Sequence, residues 1–142
     1  MSEARAGGQA GAGGLEPTRI ALVGHCGPDS YMLRSAVGRA VPGSEVVMVH
    51  SMRDARAEMG KARLLLINRV LDGEFPSDSG LEIIRELLGA RDETKASGRL
   101  MLVSNHEDAQ TLAETAGAMR GFGKAAAGSS ATAAMLRAAV EA

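Results

Sequence analysis

The sequence predicts an α/β domain: a five-stranded parallel sheet, doubly wound by helices into a three-layer sandwich. Two observations carry that prediction. Short, continuous apolar runs recur between residues 19 and 123, and unbroken rather than alternating runs mark strands buried on both faces. Between them lie longer segments whose apolar residues recur at helical spacing. Parallel strands joined by right-handed crossovers then leave a doubly wound sheet as the natural topology.

Each element follows from local signals. Ile20-Ala21-Leu22-Val23, opened by Arg19 and ended by Gly24, is the first strand. Leu33, Ala36, Val37 and Ala40 place a helix over 29–40, and Pro42-Gly43 stop it. Glu45 to Val49 is the second strand. Ser51 with Asp54 opens the next helix and Gly60 closes it. Arg63 to Ile67 is the third strand, the most apolar and therefore central. Ser79 and Glu82 form a capping box for a helix over 80–89 carrying Leu81, Ile84 and Leu88. After a polar break from Arg91 to Gly98, Leu100 to Val103 is the fourth strand. Asn105 with Asp108 caps a helix bearing Ala109, Leu112, Ala113 and Ala116, ended by Gly117. Met119 to Gly123 is the fifth strand. Ser129 or Ser130 starts a last helix with Thr132, Met135, Leu136 and Ala139 on one face.

Composition bounds the function. The 142 residues suffice for one domain with a continuous core. Aromatics are only 2%, so aliphatic side chains, alanines and gap-filling methionines must build that core. Sixteen basic against 17 acidic residues, with no Lys/Arg cluster, give no sign of a nucleic-acid or membrane surface. A single cysteine, Cys26, fits a reducing compartment, and no apolar run is long enough to span a membrane. The expected location is cytoplasmic. Residues 1–17, rich in Gly and Ala, read as a flexible tail, leaving 18–142 as the folded domain.

In an open α/β sheet the functional crevice lies at the carboxyl ends of the strands. Here those ends carry Gly24-His25-Cys26, His50-Ser51, Asn68-Arg69, Ser104-Asn105 and Gly123-Lys124. With this element order, and with the segment Ala116 to Lys124, residues 18–142 resemble a receiver domain of bacterial response regulators, a flavodoxin-like sandwich. The resemblance implies roles in two-component signalling. It sets Asn68 where the family has its phosphoacceptor aspartate, and Ser104 and Lys124 where a hydroxyl and a lysine meet the phosphoryl group. Phe122 falls at the aromatic switch position. It also implies a partner or dimer surface over about 105–140.

The departures are as informative. Where the family holds Mg²⁺ on adjacent acids, this chain has Gly24, His25 and Cys26, and Asp29 follows several residues later. The loop from Arg69 to Ser79 is longer than usual and carries Asp72, Glu74 and Asp78. Magnesium needs hard oxygen ligands, and attack on phosphorus needs a negative nucleophile. An amide at 68 supplies neither. The expectation is a pseudo-receiver: a non-enzymatic module without aspartyl phosphorylation, metal or cofactor, acting on a protein partner.

Three other readings bear on these residues. Cys26 after a first strand is placed like the nucleophile of small phosphocarriers and tyrosine phosphatases. Those need a cradle of backbone N–H groups, and Pro28 has none. His25 and Cys26 lack partners at metal-ligand spacing. Ser104 and Lys124 remain able to bind an anion, although Lys124 has no obvious partner unless Asp29 or Asp72 folds back into the crevice.

Overall fold

Strand β3, Leu64–Asn68, is buried at every residue, which requires neighbours on both edges and helices on both faces. The computed structural model, which describes residues 17–89 and 99–141, provides all four. Strands β1 (Arg19–Val23), β2 (Glu45–Val49), β4 (Arg99–Val103) and β5 (Met119–Phe122) join β3 in one sheet of order β2-β1-β3-β4-β5. Every pairing is parallel. The reversal of strand order between β1 and β3 opens the crevice above them.

Helices α1 (Gly27–Ala40) and α5 (Ser130–Glu141) cover one face. There Ile20, Leu22, Leu64, Leu66, Met101 and Val103 pack against Leu33, Val37 and Leu136. Helices α2 (Met52–Met59), α3 (Gly80–Gly89) and α4 (Glu107–Ala116) cover the other, where Val23, Leu65, Ile67 and Leu102 meet Met52, Met59, Ile84 and Ala113. Alternate residues of β1 to β4 thus feed opposite cores, the period-two rule of a strand.

Several local expectations are corrected. Helix α1 begins at Gly27, earlier than residue 29, with Cys26 at its N-cap and Pro28 in the first turn, where a missing N–H costs nothing. Helix α4 is capped by His106, not Asn105; the Asn105 side chain instead accepts from the Ala125 N–H at 3.2 Å. Leu112 points outward, 47% exposed, because the α4 core face is set by Gln110 and Ala113. At the start of α3, Ser79 Oγ accepts from the Glu82 N–H at 3.3 Å, while the Ser79 N–H turns to Ser77 Oγ, so the capping box is one-sided. The expected tail, through residue 16, and the polar break over 91–98 lie outside the described residues.

The β4–β5 edge is irregular, and its cause is local. The register shifts between Met101 and Val103. Buried Gln110 reaches in from α4, donating to the carbonyls of Leu102 and Ser104 at 2.9 and 3.2 Å and accepting from Gly121 N–H at 2.9 Å. One amide thereby satisfies backbone groups on both strands that the ladder leaves open.

Candidate crevice at the carboxyl edge of the sheet

Asn68 ends β3 at the floor of the crevice, 8% exposed. Its Nδ2 donates to the Gly24 carbonyl at 3.0 Å and to the Val70 carbonyl at 2.7 Å. Both partners are acceptors, which fixes the orientation of the amide: only the nitrogen can face them. A carboxylate here would set two lone-pair-bearing atoms against each other.

Gly24 lies across from it with φ +74. A Cβ on this residue would collide with Leu71 Cδ2, and it is the left-handed φ that makes glycine necessary. Leu71 belongs to the β3–α3 loop, which runs back over the ends of β1 and β2. Asp72 N–H donates to the Gly24 carbonyl at 2.9 Å, Glu74 N–H to the His50 carbonyl at 2.7 Å, and Met52 N–H to the Glu74 carbonyl at 3.2 Å. Leu71 is buried and Phe75 packs on the same core, while the acids Asp72, Glu74 and Asp78 face outward. The loop is a strap that fills the part of the crevice over β1 with hydrocarbon.

His25, the next residue, is 1% exposed. Its Nε2 lies 2.8 Å from the Leu66 carbonyl, so that nitrogen carries the proton and Nδ1 is left bare; Nδ1 is buried and has no hydrogen-bond partner. Burial pushes its pKa down to about 4, against the opposing pull of the Leu66 hydrogen bond, and the ring is neutral. Cys26 is half-buried at the start of α1.

Lys124 does find a partner. Its Nζ donates to Asp29 Oδ2 at 2.6 Å, both side chains about a third exposed. The Lys124 hydrogen bond holds the Asp29 carboxyl below its usual range; burial opposes this, and a hydrogen bond from Cys26 adds to it. Asp29 rather than Asp72 is thus the acid that folds back. It can do so because α1 starts early and turns its first-turn acid toward β5.

Ser104, 6% exposed, ends β4; its Oγ accepts from the His106 N–H at 3.1 Å. Phe122 is buried and points into the core beside α5, among Met101, Val103 and Leu136. What remains open is a cavity of about 200 Å³ over β3 and β4, lined by Asn68, Arg69, Val70, Val103, Ser104, Asn105, His106 and Lys124. The crevice therefore gathers Asn68, Ser104 and Lys124 around one opening. Gly24 is sealed beneath the strap, and Phe122 faces away.

This donor set does not fit a divalent cation. Gly24 has no side chain, His25 is committed to Leu66, and Asn68 turns its N–H groups inward. Among the described residues no group of three or more His, Cys, Asp and Glu could hold a metal ion. No helix there is long and apolar enough to cross a membrane.

No protein-family model and no curated protein sequence matches this chain. Solved structures do. The receiver domain of a DNA-binding response regulator from Colwellia psychrerythraea 34H superposes with a TM-score of 0.64 over 89% of this chain and 100% of its own, at 14% identity. The chain has the fold of a response regulator receiver domain. A receiver domain of a Luxo repressor protein from Vibrio parahaemolyticus matches with a TM-score of 0.57 at 18% identity, over 87% of this chain and 93% of that one. The RcsB response regulator of Salmonella typhimurium matches with a TM-score of 0.66 at 11% identity, over 89% of this chain and 61% of its own.

Sequence reasoning missed one residue of this receiver-fold crevice: Leu71, in a loop noted for its acids, gains meaning only from its fit over Gly24. Arg69 and Asn105 stand at the strand ends as expected, but Asn105, also expected to cap a helix, instead clamps the β5–α5 turn.

Proposed function

We propose that this chain is a pseudo-receiver signalling module of two-component type, which regulates a protein partner by contact and does not accept a phosphoryl group at Asn68. One observation supports this most directly. Both N–H hydrogens of the Asn68 amide are spent on the Gly24 and Val70 carbonyls, so this side chain holds the strap. A nucleophile needs its lone pairs free and a cation beside it. This residue is instead a structural donor, beside a glycine that a leucine covers.

The contact surface is assigned to residues 105–140. Leu112 stands exposed on α4, and elsewhere around the same helix Arg120 of β5 bridges Glu107 and Glu114. An exposed apolar side chain of this kind can anchor a modest protein interface, and a second copy of the chain is one candidate for it.

Incubation with acetyl phosphate and Mg²⁺ followed by intact mass tests the chemistry. The expected result is an unchanged mass. A hydroxylamine-labile phosphoryl adduct overturns the proposal. For the surface, Leu112→Glu should abolish co-purification of the native partner while leaving the circular dichroism unchanged.

A further inference from the structure

The formal net charge of −1 conceals a separation of charge between the two sides of the sandwich. On the helices α1 and α5, which cover one side, the exposed bases are Arg34, Arg39 and Arg137, and Glu141 is the only exposed acid. Asp29, also on α1, is spent on Lys124. Arg34 and Arg137 enter no ion pair among the described residues, and Arg39 donates to the Ser35 hydroxyl at 3.0 Å. Tyr31, three residues before Arg34 and so on the same side of α1, is 78% exposed.

The other side is acidic. Leu71 and Phe75 fix the strap to the core beneath α2, α3 and α4, and from there it exposes Asp72, Glu74 and Asp78, with Arg69 its only base. Helices α3 and α4 add Glu82 and Asp108 in their first turns. None of these five acids enters an ion pair among the described residues. The helix macrodipole accounts for Glu82 and Asp108, but it gives no reason for three acids on a strap.

We infer that the chain associates with further copies of itself head to tail, the arginine side of one molecule seated on the acidic strap of the next. The two surfaces are complementary in sign, whereas either surface paired with itself sets like charges together. Tyr31 supplies an aromatic anchor beside the arginines, the residue types in which interface energy concentrates. Because the two surfaces lie on opposite sides, one contact leaves a free surface at each end and the assembly stays open. The contact needs neither the amide at position 68 nor the Leu112 surface.

Sedimentation velocity over a range of protein concentrations, at about 0.02 M and about 0.5 M salt, provides the test. At low salt the weight-average sedimentation coefficient should rise with concentration without levelling at a dimer. At high salt, where facing charges are screened, the chain should run as a monomer. Arg34→Gln with Arg137→Gln, and separately Glu74→Gln with Asp78→Asn, should each weaken self-association about tenfold. All four side chains are exposed, so circular dichroism should be unchanged. Mixed in equal amounts, the two variants should associate again but stop at a pair, since each keeps one working surface. A dimer that neither pair of substitutions weakens, or a mixture no better associated than its parts, overturns the inference. So does a monomer at low salt, which would leave the arginine side to a different acidic partner. A phosphoryl adduct formed with acetyl phosphate would defeat the pseudo-receiver reading and leave this contact standing.

Discussion

Leu71 lies against Gly24 where a side chain at residue 24 would have to stand. The contact couples a loop residue to the first strand and makes an acid at position 24 incompatible with the strap. Gly24→Asp forces both a left-handed φ and a collision, which together should cost about 2–4 kcal/mol. Urea unfolding measures this, and a loss below the error of the fit would mean that the strap yields easily.

Asn68→Asp tests the amide as a structural donor. It removes two hydrogen bonds and presents a carboxylate to two carbonyls, so stability should fall by about 2–3 kcal/mol at neutral pH. The variant should still gain no phosphoryl mass, because the residues beside it offer no cation site. Restoration of phosphorylation by this single change would mean that chemistry at position 68 was the only deficit.

Acid stability separates two groups by pH window. His25 has its pKa lowered from 6.5 to about 4, mainly by burial. The unfolded chain takes up that proton first, so its contribution is complete above about pH 6.5 and is lost as pH falls toward 4, on the order of 3 kcal/mol. His25→Gln, which keeps a donor for Leu66, should flatten the stability profile across that interval. Asp29 is also depressed, so its contribution is present above 3.8 and is lost only below it, as pH falls through the folded value. Asp29→Asn should therefore change the profile chiefly at the acid end.

Gln110 holds three backbone groups of the β4–β5 edge. Gln110→Leu should cost about 2–4 kcal/mol, since it leaves buried polar atoms without their partner. Hydrogen exchange should localise the loss: Gly121 N–H, protected in the parent, should exchange rapidly in the variant.

The Lys124–Asp29 pair is a smaller effect. Both side chains are about a third exposed, so a double-mutant cycle of Lys124→Met and Asp29→Asn should give a coupling of only about 0.5–1 kcal/mol.

Much of the fold was legible in the sequence because strands buried on both faces must be apolar throughout. Leu64 to Ile67 named the centre of the sheet that way, and the chain ends of the strands then located Asn68, Ser104 and Lys124. Less legible was whatever depends on where an element begins. An α1 starting at Gly27 aims Asp29 at Lys124, and neither residue announces the other across the sequence that separates them. The strap was opaque for another reason. Its acids are what a reader notices, yet its backbone hydrogen bonds and Leu71 do the packing, and backbone bonds leave no mark in composition. Leu112 misled in the opposite direction: an apolar residue at helical spacing that the core does not use.

The last helix is fastened at both extremities. Lys124, just ahead of it, reaches Asp29 on α1, and the carbonyl of Val140 in its final turn accepts twice from the guanidinium of Arg63 at 3.1 and 2.6 Å. A surface helix with a single anchor peels away first under stress. With an anchor at each end, α5 should come loose only when the body of the protein does, and a visiting molecule would meet it as firm ground.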